Sequence, residues 1–70
     1  MTNEYDAILK QAILAYEEGR LADAEKAYLK MLSKEPDSGS VLNALGTVFL
    51  DQGQPDKARK YFKKAEIKNF

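Results

Sequence analysis

Cysteine, histidine and tryptophan are absent from this chain of 70 residues, and proline occurs only twice. Without cysteine there is no disulfide, and without either cysteine or histidine the usual thiol and imidazole nucleophiles, bases and zinc ligands are missing. An excess of one charge is missing too. Eleven Lys and Arg residues meet eleven Asp and Glu residues, so no net field recruits nucleic acid or an anionic membrane. No apolar run approaches the ~18 residues that a membrane-spanning helix needs. The polar start Met1-Thr2-Asn3-Glu4 lacks the basic and apolar regions of a secretory signal, which predicts a cytoplasmic protein. What is present is 44% apolar residues, too many for a disordered tail. A chain this short buries only about 60% of the surface its unfolded form exposes. With no disulfide or metal to assist, its stability has to come from helix packing.

Glycine and proline punctuate the chain at Gly19, Pro36, Gly39, Gly46, Gly53 and Pro55. Between Tyr5 and Glu18 nothing breaks a run rich in Ala, Leu, Glu and Lys, all good helix formers. Gly19 then offers a left-handed stop. A second run, Ala22 to Lys34, carries Ala24, Ala27, Tyr28, Met31 and Leu32 at helical spacing. Pro36 and the Asp37-Ser38-Gly39-Ser40 cluster end it and supply oxygen caps for the next start. The third run, Val41 to Gln52, stops at Gly53. Pro55 opens the fourth, at a first-turn position where its missing N–H costs nothing. Four helices joined by short turns are predicted.

A shift of 34 residues lays the first pair of helices on the second. Gly19 falls on Gly53, Ala24 on Ala58, Tyr28 on Phe62, and Lys26, Lys30 and Lys34 on Lys60, Lys64 and Lys68. Identity is thin, five matches in the 32 pairs from Tyr5/Gly39 to Pro36/Phe70, so class agreement carries the period. Ile8 matches Leu42, Ala12 matches Gly46, Leu14 matches Val48 and Glu17 matches Asp51. A helix–turn–helix unit repeating every 34 residues is a repeat architecture. Ala12, Gly46, Ala24 and Ala58 are where two helix axes can approach closely, with Tyr28 and Phe62 as the knobs that fill the adjoining holes.

The second copy reads Leu42-x-x-Leu45-Gly46-x-x-Phe49, then Gly53, Ala58-x-x-x-Phe62 and Ala65. This order of small and aromatic residues resembles the tetratricopeptide repeat family. The first copy keeps Ala12, Gly19, Ala24-x-x-x-Tyr28 and Pro36. It departs from the family at Gln11, Ala15 and Met31, and the second copy departs at Glu66 and Phe70. The resemblance covers essentially residues 1–70, one domain with repeat one at about 5–38 and repeat two at about 39–70. It implies an all-α fold of two helix–turn–helix repeats, four antiparallel helices in a short right-handed solenoid.

Catalysis has few candidates. The hydroxyls of Thr2, Ser33, Ser38, Ser40 and Thr47 have no imidazole base. The carboxylate neighbours Glu17/Glu18 and Asp23/Glu25 are one or two residues apart and do not share a helix face. No metal-ligand spacing or phosphate-cradling loop is present, so neither an enzyme nor a cofactor is expected. Residues 36–70 hold six basic residues against four acidic, and residues 1–35 hold five against seven. Lys57, Lys60, Lys64 and Lys68 fall within an arc of about 80° on the last helix. Nucleic-acid binders carry a domain-wide basic excess and stacking aromatics along the patch, which argues against nucleic acid and for a solvated outer face.

The first helix is more informative. Tyr5, Ile8, Leu9, Ala12, Ile13, Ala15 and Tyr16 span a continuous apolar arc about 160° wide, more than one packing partner requires. Ile8, Ala12 and Ala15 suit the second helix of the same hairpin. Leu9, Ile13 and Tyr16 then need another partner, either the core between hairpins or a ligand. The resemblance implies a concave groove that binds a peptide or helix segment, and places Asp6, Leu9, Ile13 and Tyr16 on it, continued by Ser40, Asn43, Thr47 and Leu50. A family subset grips a peptide's terminal carboxylate with lysine and asparagine. Here Leu9 and Ile13 stand in those places, so an apolar or mixed peptide surface fits better. The expected function is a non-catalytic protein–protein interaction module, an adaptor or scaffold.

Two repeats are few for such an array, which builds a continuous core only by stacking. Tyr61, Phe62, Ala65 and Phe70 on the last helix have no helix after them in this chain, and are expected to be covered in the working state. The alternative function is therefore a self-assembling structural module, a homodimer or array unit joined through these uncapped faces.

Overall fold

Four runs, set off by the turns at Gly19, at residues 36–38 and at Gly53, become four helices in the computed structural model, which describes residues 4–68. They are α1 (Glu4–Glu17), α2 (Leu21–Lys34), α3 (Gly39–Asp51) and α4 (Pro55–Lys68). Contacts join α1 to α2, α2 to α3 and α3 to α4, so each helix packs mainly on its neighbours in sequence. The protein is an all-α helical repeat solenoid. Phe70, the side chain of Lys68 and residues 1–3 lie outside what is described.

The two hairpins are built by the same turn. Gly19 and Gly53 adopt φ of +79° and +77°, the left-handed region that glycine enters without steric cost. Arg20 N–H donates to the Ala15 carbonyl at 2.8 Å and Gly19 N–H to Tyr16 at 3.0 Å. Thirty-four residues later Gln54 N–H donates to Phe49 at 2.9 Å and Gly53 N–H to Leu50 at 3.0 Å. Both pairs satisfy carbonyls that a helix end leaves open. The link between hairpins is capped differently. The Ser38 Oγ accepts from Val41 N–H at 3.4 Å, and α3 starts at Gly39, two residues before the predicted Val41, because that cap precedes it.

Ile8, Ala12, Ala15, Ala24, Tyr28, Met31, Val41, Leu45, Val48, Phe49 and Ala58 form one buried cluster. In the second hairpin the small residue and the knob meet as expected. A Cβ placed on Gly46 would lie 2.5, 2.7 and 2.8 Å from three atoms of the Phe62 ring. The ring occupies the space a side chain would need, which is why glycine stands there. Met31, where the first copy departs from the repeat pattern, is fully buried. The molecule measures 35 × 29 × 15 Å, a flat slab with two broad faces.

Candidate functional site

The apolar arc of α1 divides when the helices pack. Ile8, Ala12 and Ala15 are buried at 6%, 0% and 3% exposure. Leu9 and Tyr16 are half-buried against the core. Ile13 is 43% exposed, and on α3 Leu50 is 52% exposed. Leu9 and Tyr16 thus carry part of the core, while Ile13 and Leu50 keep close to half their surface in water.

Between them the helices leave a shallow hollow of about 150 Å³, lined by Tyr16, Tyr28, Ala44 and Thr47. Ile13 stands one turn before Tyr16 and Leu50 one turn after Thr47, so each shares a helix face with a lining residue. Tyr16 and Thr47 line this hollow together. Tyr28, Ala44 and Asp51 were not anticipated. Tyr28, the knob of the first hairpin, forms the floor, at 7% exposure. Asp51 accepts a hydrogen bond from the Tyr16 hydroxyl at 2.5 Å, tying the end of α1 to the end of α3. The bond to the carboxylate, with burial second, raises the Tyr16 pKa above the ordinary phenol value, since it favours the neutral donor. Burial alone raises that of Tyr28.

The polar residues of this face are held near the surface. The Thr47 hydroxyl donates to the Asn43 carbonyl at 3.1 Å, and Ser40 Oγ lies 3.3 Å from Ser38 Oγ. Asn43 and Asp6 are exposed. The arrangement offers apolar contact and hydrogen bonding. Among the described residues no cluster of three or more Asp, Glu, His or Cys could hold a metal, and no helix is long and apolar enough to cross a membrane.

The face on α4 is divided in a way its sequence did not show. Ala65 is 1% exposed, enclosed within the second hairpin because it sits on the same side as Ala58. Phe62 packs on Gly46 and Tyr61 lies 5.2 Å from Phe49, ring to ring; both are half-buried. Ile67, at 69% exposure, is the large apolar side chain standing open there. The lysine stripe is partly used internally. Lys57 lies 5.0 Å above the Phe49 ring and Lys64 5.1 Å above that of Tyr61, cation–π contacts that direct both ammonium groups onto the chain's own aromatics.

Searches of curated proteins and of solved structures found no significant match to this chain. The sequence profile of the tetratricopeptide repeat matches residues 9–70. Repeats of this kind are generally protein–protein interaction modules and typically not catalytic. The profile match, the 34-residue register and the duplicated helix–turn–helix geometry agree: the chain belongs to the tetratricopeptide repeat family.

Proposed function

We propose that this protein is an adaptor that holds a peptide or helical segment of another protein along the inner face of α1 and α3. One observation carries the reading: Ile13 and Leu50 stay 43% and 52% exposed on either side of the Tyr16–Thr47 hollow. Completing the burial of two such side chains contributes about 2 kcal/mol each at roughly 25 cal/mol per Å². Asn43 and Thr47 orient the peptide backbone by hydrogen bonding, and the absence of lysine at Leu9 and Ile13 favours an apolar or mixed segment over a terminal carboxylate.

A peptide-display selection against the folded chain tests this. Enriched peptides should carry bulky apolar residues and shift the amide resonances of Tyr16, Asn43 and Thr47. Ile13→Asp and Leu50→Asp should each weaken binding at least tenfold while the helical circular dichroism stays unchanged. Undiminished binding by both variants, or resonance shifts confined to the outer face of α4, would refute the groove.

A further inference from the structure

The two hairpins differ in what stands in front of their first helix. α3 has α2 on one side and α4 on the other, whereas among the described helices α1 packs mainly on α2. The 34-residue register shows the surface that this leaves open. Val41, Leu45 and Val48 of α3 are at most 3% exposed, and their counterparts Ala7, Gln11 and Leu14 on α1 are exposed, Leu14 at 50%. On α4 the complementary surface is the counterpart of the α2 face that meets α3. Glu25 corresponds to Arg59, and the buried Tyr28 to the half-buried Phe62.

A polar relay crosses the internal junction. Gln54 Nε2 donates to Gln52 Oε1 at 3.1 Å, and Gln52 Nε2 donates to Glu25 Oε1 at 3.2 Å. The same relay begins again at the open end of the first hairpin, where Arg20 Nε donates to Glu18 Oε1 at 2.9 Å. Arg20 corresponds to Gln54 and Glu18 to Gln52. The third member would be the counterpart of Glu25, and that residue is Arg59, at the far end of the chain. Among the described residues Arg59 stands 3.9 Å from Asp56, a long i,i+3 pair. The neutral-to-acid contact inside the chain thus becomes an acid-to-base contact between two ends. The wider charge distribution agrees: residues 1–35 have two more acidic than basic residues, and residues 36–70 two more basic than acidic. Tyr28 also lines a hollow with Ala44 and Thr47. In register, that contact sets Phe62 against Lys10 and Ile13.

The geometry points to a second copy of this chain as the occupant of both surfaces, stacked head to tail with α1 of one copy on α4 of the other and Glu18 paired with Arg59. Such a contact joins two different surfaces and does not close on itself in pairs, so copies add in a line. The junction lies on the end faces and shares Ile13 with the peptide face, so it is read by association in the absence of peptide, separately from peptide capture.

Sedimentation of the 70-residue chain from micromolar to millimolar concentration, without peptide, tests the inference. The average mass should climb past that of a dimer. Glu18→Arg and Arg59→Glu should each weaken association about tenfold, by replacing an attraction with a repulsion across a desolvating contact. Mixed in equal amounts the two charge-reversed chains should associate again, because each restores the other's pair. Leu14→Lys, at a half-exposed position, should abolish association with circular dichroism unchanged. A monomer at every concentration would overturn the inference, assigning these faces to another occupant. So would association indifferent to both reversals, or a mixture that fails to recover.

Discussion

Replacing Gly46 by alanine adds one methyl group at a point where three atoms of the Phe62 ring already lie within 2.8 Å of the Cβ position. Ordinary carbon contacts sit at about 3.5–4.0 Å, so the ring has to retreat by about 1 Å. Overpacking of this size costs about 1–3 kcal/mol. Against it stands the helix preference for alanine over glycine, about 1 kcal/mol in favour of the substitution. Phe62 is half-buried and can give some ground, so the net expectation is a destabilisation of about 1 kcal/mol. That lowers the midpoint of thermal unfolding by roughly 4–8 °C in a domain of this size. Leucine cannot be accommodated by ring movement and should cost about 3 kcal/mol. The decisive measurement is the double-mutant cycle with Phe62→Ala, followed by urea unfolding in a stabilising osmolyte. With the ring gone, Gly46→Ala should stabilise by about 1 kcal/mol, reversing its sign. If Gly46→Ala stabilises equally in both backgrounds, the ring does not dictate the glycine and the close helix approach is misread.

Gly53→Ala should destabilise by about 1–2 kcal/mol through backbone strain alone, because φ is +77° and a Cβ there meets nothing within 4 Å. A synthetic chain with D-alanine at that position should be at least as stable as the parent. The Tyr16 phenol should ionise above the ordinary phenol value in an ultraviolet titration, since Asp51 holds its proton. Its pKa is raised on folding, so its contribution is complete below the ordinary phenol value near 10 and disappears as pH climbs through the folded value. The stability difference between the parent and Tyr16→Phe should therefore shrink above about pH 10. Ser38→Ala removes the cap on α3, whose 3.4 Å bond is long, and should cost about 0.5–1 kcal/mol in chemical denaturation. A larger loss would mean that the hydroxyl supports more than the helix start.

Much of the fold is legible in the order of residues because its causes are local. Gly19 and Gly53 end helices by backbone freedom, Ser38 caps one through its own oxygen, and Pro55 starts one where no N–H is needed. Each acts within a turn of its own position. The register of 34 residues follows from the same locality, since each hairpin solves the same packing problem with a small residue opposite an aromatic one. Gly46 against Phe62 was readable on that ground.

The site was legible only as an arc. Helical periodicity fixes which side chains share a face: it puts Leu9, Ile13 and Tyr16 on one edge of the α1 arc, while Thr47 and Leu50 join that surface only through the resemblance to the repeat family. Periodicity contains no information on how far a neighbouring helix extends across that arc. Tertiary packing decided that Leu9 and Tyr16 are half-covered while Ile13 and Leu50 stay open, and that Ala65 is enclosed beside Phe62 on α4. The Tyr16–Asp51 bond spans 35 residues, and no local pattern announces it. The order of the amino acids by itself determined a repeated, cysteine-free, all-α chain with its turns and close contacts, because those depend on residues a few positions apart. Which apolar surface became core and which remained available to a partner was decided by the placement of whole helices, a property of the assembled array.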